Sequence, residues 1–204
     1  MLISFEGIDG SGKTTQIQRL RERLIHSGIS VSLFREPGGT EISEVIRGVL
    51  LNPEMSIDPV TEVLLFSSAR SQLIAEQVKP RLQAGEWVIL DRFYDSTVAY
   101  QGYGRESMPI AQLHAINAVA SHGLVPDLTF YLHLSRETAD ARLTGRLRDR
   151  MEQAGDAFYD RVIHGFQSLA DSEPRFRTIS ADLSVEEIHA RIWAQIAPRL
   201  TPSA

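Results

Sequence analysis

Gly7-Ile8-Asp9-Gly10-Ser11-Gly12-Lys13-Thr14 fits the pattern G-x-x-x-x-G-K-[ST] at every fixed position. Its glycines let the backbone curl so that several N–H groups point inward and form a nest for an anion. Lys13 supplies a point charge for β- and γ-phosphates, and Thr14 a hydroxyl for Mg²⁺. A helix starting here would set its positive end at the same phosphates. The flanks agree. Leu2-Ile3-Ser4-Phe5-Glu6 is short and apolar, as a buried strand should be. Ile17, Leu20 and Leu24 follow at i, i+3 and i+7 with arginines between them, the pattern of an amphipathic helix. Gly28 suits the position just past that helix's end. Strand, loop and helix stand in the required order, which predicts a triphosphate cradle of Gly7, Ile8, Asp9, Gly10, Ser11, Gly12, Lys13, Thr14 and Thr15.

Beyond this unit, strand patterns are read at 2–6, 30–35, 87–91, 127–134 and 176–180. Helical patterns are read at 13–26, 41–51, 59–84, 109–121, 136–144, 156–172 and 184–197. The alternation predicts an α/β fold, a five-stranded parallel sheet with helices on both faces. Ser184 and Glu187 predict a capping box on the last helix. The polar, Arg-rich stretch 142–156 breaks the pattern and reads as a mobile lid or a solvated loop.

The 204 residues suit one domain, 1–204. The net charge of -5 argues against a broad nucleic-acid surface. No apolar run is long enough for a membrane, and Glu6 interrupts any leader pattern, so the expectation is a cytoplasmic protein with no membrane partner. The absence of cysteine removes disulfide and thiolate chemistry. Only Lys13 and Lys79 among the 21 basic residues are lysine, so the loop keeps lysine in a chain that otherwise uses arginine.

In open parallel sheets, ligands bind beyond the carboxyl ends of the strands. Strand three ends in Asp91, the place for an acid that holds Mg²⁺ together with Thr14, or for one that caps the next turn. Arg92 beside it and Arg35 on the neighbouring strand end suit bidentate capture of a second anionic group. Phe66 and Arg70 stand at i and i+4 on one helix face. They read as a base-stacking ring and a donor to a base carbonyl, or as a core residue and a surface one.

These segments together resemble thymidylate kinases of the bacterial type. The resemblance is carried by Phe5-Glu6-Gly7 leading into the phosphate loop and by Arg35-Glu36-Pro37-Gly38-Gly39-Thr40. It continues through Leu65-Phe66-Ser67-Ser68-Ala69-Arg70, Asp91-Arg92-Phe93 and Ser96-Thr97-Val98-Ala99-Tyr100-Gln101-Gly102. Pro126-Asp127-Leu128-Thr129 and Asp149-Arg150-Met151-Glu152 complete it. The Arg-Glu-Pro-Gly-Gly-Thr and Ala-Tyr-Gln-Gly blocks are more specific than the loop. The resemblance implies the nucleoside monophosphate kinase form of the fold, ATP and dTMP as substrates, Mg²⁺, and a homodimer, for which the apolar faces of helices 41–51 and 59–84 are candidates. It implies that Asp9 contacts the acceptor sugar and that Arg92 holds the acceptor phosphate beside Arg35, Glu36 and Pro37. Phe66 would stack on the base, Arg70 donate to its O4, and Ser96, Thr97 and Gln101 lie near the pyrimidine. Tyr100 would pack near the 2′ carbon, and Arg142 would face the adenine. One subclass carries an arginine directly after the loop aspartate. Here that residue is Gly10, so Arg146, Arg148 and Arg150 of the lid are the expected catalytic cations. Other nucleotide kinases share the loop. A GTPase would need Asn-Lys-x-Asp, which is absent.

Overall fold

β1 (Leu2–Glu6) is buried along its whole length, as a central strand of a two-faced sheet must be. The computed structural model describes residues 1–145, 150–151 and 153–200. β2 (Val31–Arg35), β3 (Trp87–Asp91), β4 (Leu128–His133) and β5 (Phe176–Ser180) complete a parallel sheet of order β2-β3-β1-β4-β5. The period of two sorts the side chains into two cores. Ile3, Phe5 and Ile89 join one cluster, and Leu2, Val88 and Leu90 the other.

α1 (Lys13–His26) buries Ile17, Leu20 and Leu24. It packs with α9 (Val185–Ile196), whose Ile188, Ile192 and Ile196 lie in the same cluster. The expected capping box of Ser184 and Glu187 is present. α2 (Glu41–Leu51) is capped by the Thr40 side chain, which accepts from the Ser43 N–H. The helix expected over 59–84 is interrupted. α3 (Pro59–Leu73) passes into a π-helical turn, Ile74–Val78, before α4 (Lys79–Gln83). Pro80 explains the change of pitch, because its ring excludes the carbonyl four residues back and it has no N–H to donate.

Between β3 and the next expected helix the sequence pattern offers no element. The structure has α5 (Tyr94–Thr97) and a π-helical segment, Val98–Gly104, there. α6 (Ile110–Ala120), α7 (Arg136–Leu143) and α8 (Asp156–Ser172) follow. Gly102 and Gly104 weaken a helix reading by propensity, yet close packing needs them. A Cβ on Gly102 would lie 2.7 Å from Cδ1 of Ile110, and one on Gly104 2.6 Å from Cε2 of Phe158.

α5 is tied to the sheet by a buried ion pair. Arg175, just before β5, donates to both oxygens of Asp95 at 2.6 and 2.7 Å and to the Thr129 hydroxyl on β4. Burial raises the pKa of Asp95, and Arg175 opposes that rise. Removing one partner of such a pair strands the other charge. Arg175→Ala is expected to cost about 3–5 kcal/mol in urea unfolding. Arg19→Ala, which opens an exposed pair with Glu186, should cost about 1 kcal/mol or less. Equal losses would contradict this ranking.

Candidate active site

The carboxyl ends of β1, β2 and β3 open on two adjoining cavities, where strand order reverses around β1. The first is lined by Gly10, Gly12, Lys13, Thr14, Thr15 and Asp91, with Arg35 and Arg142 at its border. Gly7 lies beneath. It has φ +135°, and a Cβ there would stand 2.6 Å from the Leu132 carbonyl, so only glycine fits. Lys13 is buried and donates to the carbonyls of Gly7 and Ile8 at 2.9 and 3.1 Å. Burial, and after it the charge of Arg92, lower its pKa to about 8. An anion in the cavity would act in the opposite sense and favour the ammonium. Thr14 Oγ1 stands 3.4 Å from Asp91 Oδ2, a hydroxyl and a carboxylate side by side. Arg142 is fixed at both Nη atoms, donating to the carbonyls of Gly10 and Ala181.

The second cavity is lined by Phe66, Arg70, Ser96, Thr97, Tyr100 and Gln101. Asp9, Glu36, Arg47 and Arg92 border both cavities. Arg70 is not a surface residue. It is 2% exposed, and each guanidinium nitrogen has a partner: Nε donates to Glu36 at 2.7 Å, Nη1 to Asn117 Oδ1 at 3.0 Å and Nη2 to Thr97 Oγ1 at 2.9 Å. Burial raises the pKa of Glu36, and Arg70 counters it. Burial also raises the Tyr100 phenol.

Arg92 sits where the cavities meet, with φ 71°, a left-handed conformation that costs a non-glycine residue free energy. Its side chain donates to the Gly7 carbonyl and to Asp9 Oδ1, each at 2.9 Å. Glu6, fully buried at the end of β1, holds the turn behind it. Its carboxyl oxygens accept from the Phe93 N–H at 2.8 Å and from the Ser96 hydroxyl at 2.6 Å.

Two sequence expectations change in detail. Arg35 reaches the border of the phosphate cavity, but its Nη2 pairs with Glu44 at 2.8 Å. Arg150 lies among α2 and α3. It donates to the Leu50 carbonyl and pairs with Glu62 at 2.6 Å, and it is not part of the phosphate cavity's wall. Arg146 and Arg148 lie outside the described residues. Arg47 and Met151 line the cavities, and Glu62 and Asn117 bond to the lining residues Gln101 and Arg70; the sequence reading assigned none of the four to the site. Glu62 had a visible signal, since it shares the i, i+4 spacing of Phe66 and Arg70.

A family model described as thymidylate kinase matches residues 5–192. The chain belongs to the thymidylate kinase family. It is 48% identical to the thymidylate kinase of Prosthecochloris aestuarii over 98% of this chain and 94% of that one. It is 47% identical to that of Chlorobium luteolum over 94% of each. It is 45% identical to that of Chlorobaculum tepidum over the full length of both.

In this family member Glu6 links site and stability. Burial, and then the charge of Asp95, raise its pKa from 4.5 to about 8. A raised folded-state value makes its contribution to stability full below about pH 4.5 and lost as pH rises toward 8. Wild-type stability in urea is therefore expected to fall across that window more steeply than that of Glu6→Gln. Parallel pH profiles would contradict the assignment.

Proposed function

We propose that this chain transfers the γ-phosphoryl group of ATP to dTMP, giving ADP and dTDP. The observation that carries the reading is the shared wall. A phosphate cradle and a slot bearing Phe66, Arg70, Thr97 and Gln101 meet at Asp9 and Arg92. That geometry suits a donor and an acceptor laid end to end, with the transferred group between them.

The acceptor is an anionic phosphate oxygen, so it needs no strong base. It attacks the γ-phosphorus, the bond from that phosphorus to the β-bridging oxygen breaks, and ADP leaves. The protein's work is positioning and neutralisation of charge. Lys13 and the loop N–H groups face the donor, while Arg92 holds the acceptor phosphate and Asp9 keeps Arg92 in place and faces the sugar. Phe66 stacks on the base and Arg70 donates to O4. Tyr100 stands against the 2′ position, and Arg142 presents its fixed guanidinium to the adenine.

Thr14 and Asp91 offer hard oxygen donors beside the cradle, a set that fits Mg²⁺ completed by phosphates and water. When bound, the ion supplies further neutralisation of phosphate charge. Residues 1–204 are assigned to one domain whose segment 142–156 is its lid, with Arg146 and Arg148 as candidate cations.

No helix among the described residues is long and apolar enough to cross a membrane. We assign the protein to the cytoplasm, with neither a membrane nor a nucleic acid as partner. A homodimer fits the exposed Ile42 and Val45 on α2, Val60 and Leu64 on α3 and Val119 on α6, since α3 packs against both other helices. Sedimentation should show a dimer that Val45→Glu weakens; a wild-type monomer at micromolar concentration would reject it.

ADP formation with dTMP, dUMP, dCMP, AMP or no acceptor tests the reaction. Turnover should be greatest with dTMP and slight without acceptor. Phe66→Ala should weaken dTMP binding by about 1–3 kcal/mol, the scale of ring–base stacking, and leave ATP binding nearly unchanged. Equal losses for both ligands would reject the stacking role.

A further inference from the structure

Glu62 is an acid in an apolar stretch of α3, one turn before Phe66 and two before Arg70. Its side chain is 1% exposed. Oε1 accepts from Gln101 Nε2 at 2.8 Å and has Arg105 Nε at 3.5 Å, while Oε2 has Arg150 Nη2 at 2.6 Å. The two guanidinium groups compensate the buried charge, and the three contacts leave the carboxylate no freedom to turn.

A carboxylate that faces two guanidinium groups offers them its oxygens as acceptors. Gln101 must therefore present its amide nitrogen to Glu62, because the flipped carboxamide would set oxygen against oxygen. That leaves Oε1 as the branch turned away from Glu62. Gln101 lines the acceptor cavity with Phe66, Arg70 and Thr97. The opposite wall is locked by the same logic. Asn117 donates through Nδ2 to the Tyr94 carbonyl, so its Oδ1 must accept from Arg70. The cavity thus has donor hydrogens on Arg70 and an acceptor on Gln101.

We propose that Glu62 is a positioning residue for base specificity: by holding the amide nitrogen of Gln101 it aims Oε1 at the N3–H of a 2,4-dioxopyrimidine. The inference rests on the functional reading above. A 4-aminopyrimidine reverses both polarities, offering an amino donor where Arg70 donates and a bare N3 where Gln101 Oε1 accepts. Its rejection is then built into the orientation of one carboxamide, and that orientation is set by a residue that need not touch the substrate.

Calorimetric Kd values for dTMP and dCMP test this in the wild type, E62Q, Q101L and the double variant, with competition against dTMP where dCMP binds weakly. The dTMP preference should narrow about tenfold in E62Q, the worth of one hydrogen bond. Q101L should do the same, and the double variant should lose no more than Q101L alone. A preference unchanged in E62Q, with both ligands weakened alike, would leave Glu62 a merely structural role and overturn the proposal. So would losses that multiply in the double variant. Should E62Q fail to fold, the apolar E62M carries the same expectation. Failure of the wild type to bind dTMP would contradict the functional reading instead.

Discussion

The guanidinium of Arg92, held in a left-handed turn at the end of β3 and bonded to Gly7 and Asp9 of the phosphate loop, is the constraint on which the site depends. It joins the ends of two adjacent strands and defines the boundary between the cavities. A left-handed conformation at a non-glycine residue costs on the order of 1–2 kcal/mol. Here the cost is offset by bonds that a relaxed turn would break: the Arg92 N–H to Phe5, and Glu6 to Phe93 and Ser96. Strain and function coincide because one cation serves both pockets only when it stands at their junction.

Behind that junction the protein buries charge in three linked places. Glu36 faces Arg70, Glu62 faces Arg150 and Arg105, and Asp95 faces Arg175. Such pairs contribute little net stability compared with apolar replacements. Their value here is orientation. Arg70 is fixed at three nitrogens before any ligand arrives, so its remaining hydrogens have fixed directions. Preorganisation of this kind spares the ligand the entropy of ordering a long side chain.

The fold was largely legible because its signals are local. Strand alternation, the glycine loop and the Ser184 capping box need no knowledge of distant residues. The gap at 92–108 shows where local reading stops. Gly102 and Gly104 look like helix breakers until the tight approach of Ile110 and Phe158 is seen. Arg70 is similar: its partners Glu36, Thr97 and Asn117 lie far away in the chain, so local spacing left a surface position open beside the base-donor role. Glu62 was visible as the third member of a four-residue spacing. Its tie to Gln101 depends on the π-helical segment that no periodicity announced. For Arg150 the family motif was legible, but its commitment to Glu62 was not.

The most direct test of the account is single-turnover phosphoryl transfer from saturating ATP to dTMP in Asp9→Ala, Arg92→Ala and the double variant. If the pair works as one bridge between the cavities, each single change should slow transfer by about 100-fold or more, and the double variant should be no slower than the worse single. Losses that multiply, or an Asp9→Ala rate equal to wild type, would show that the loop and Arg92 act separately and would contradict the account.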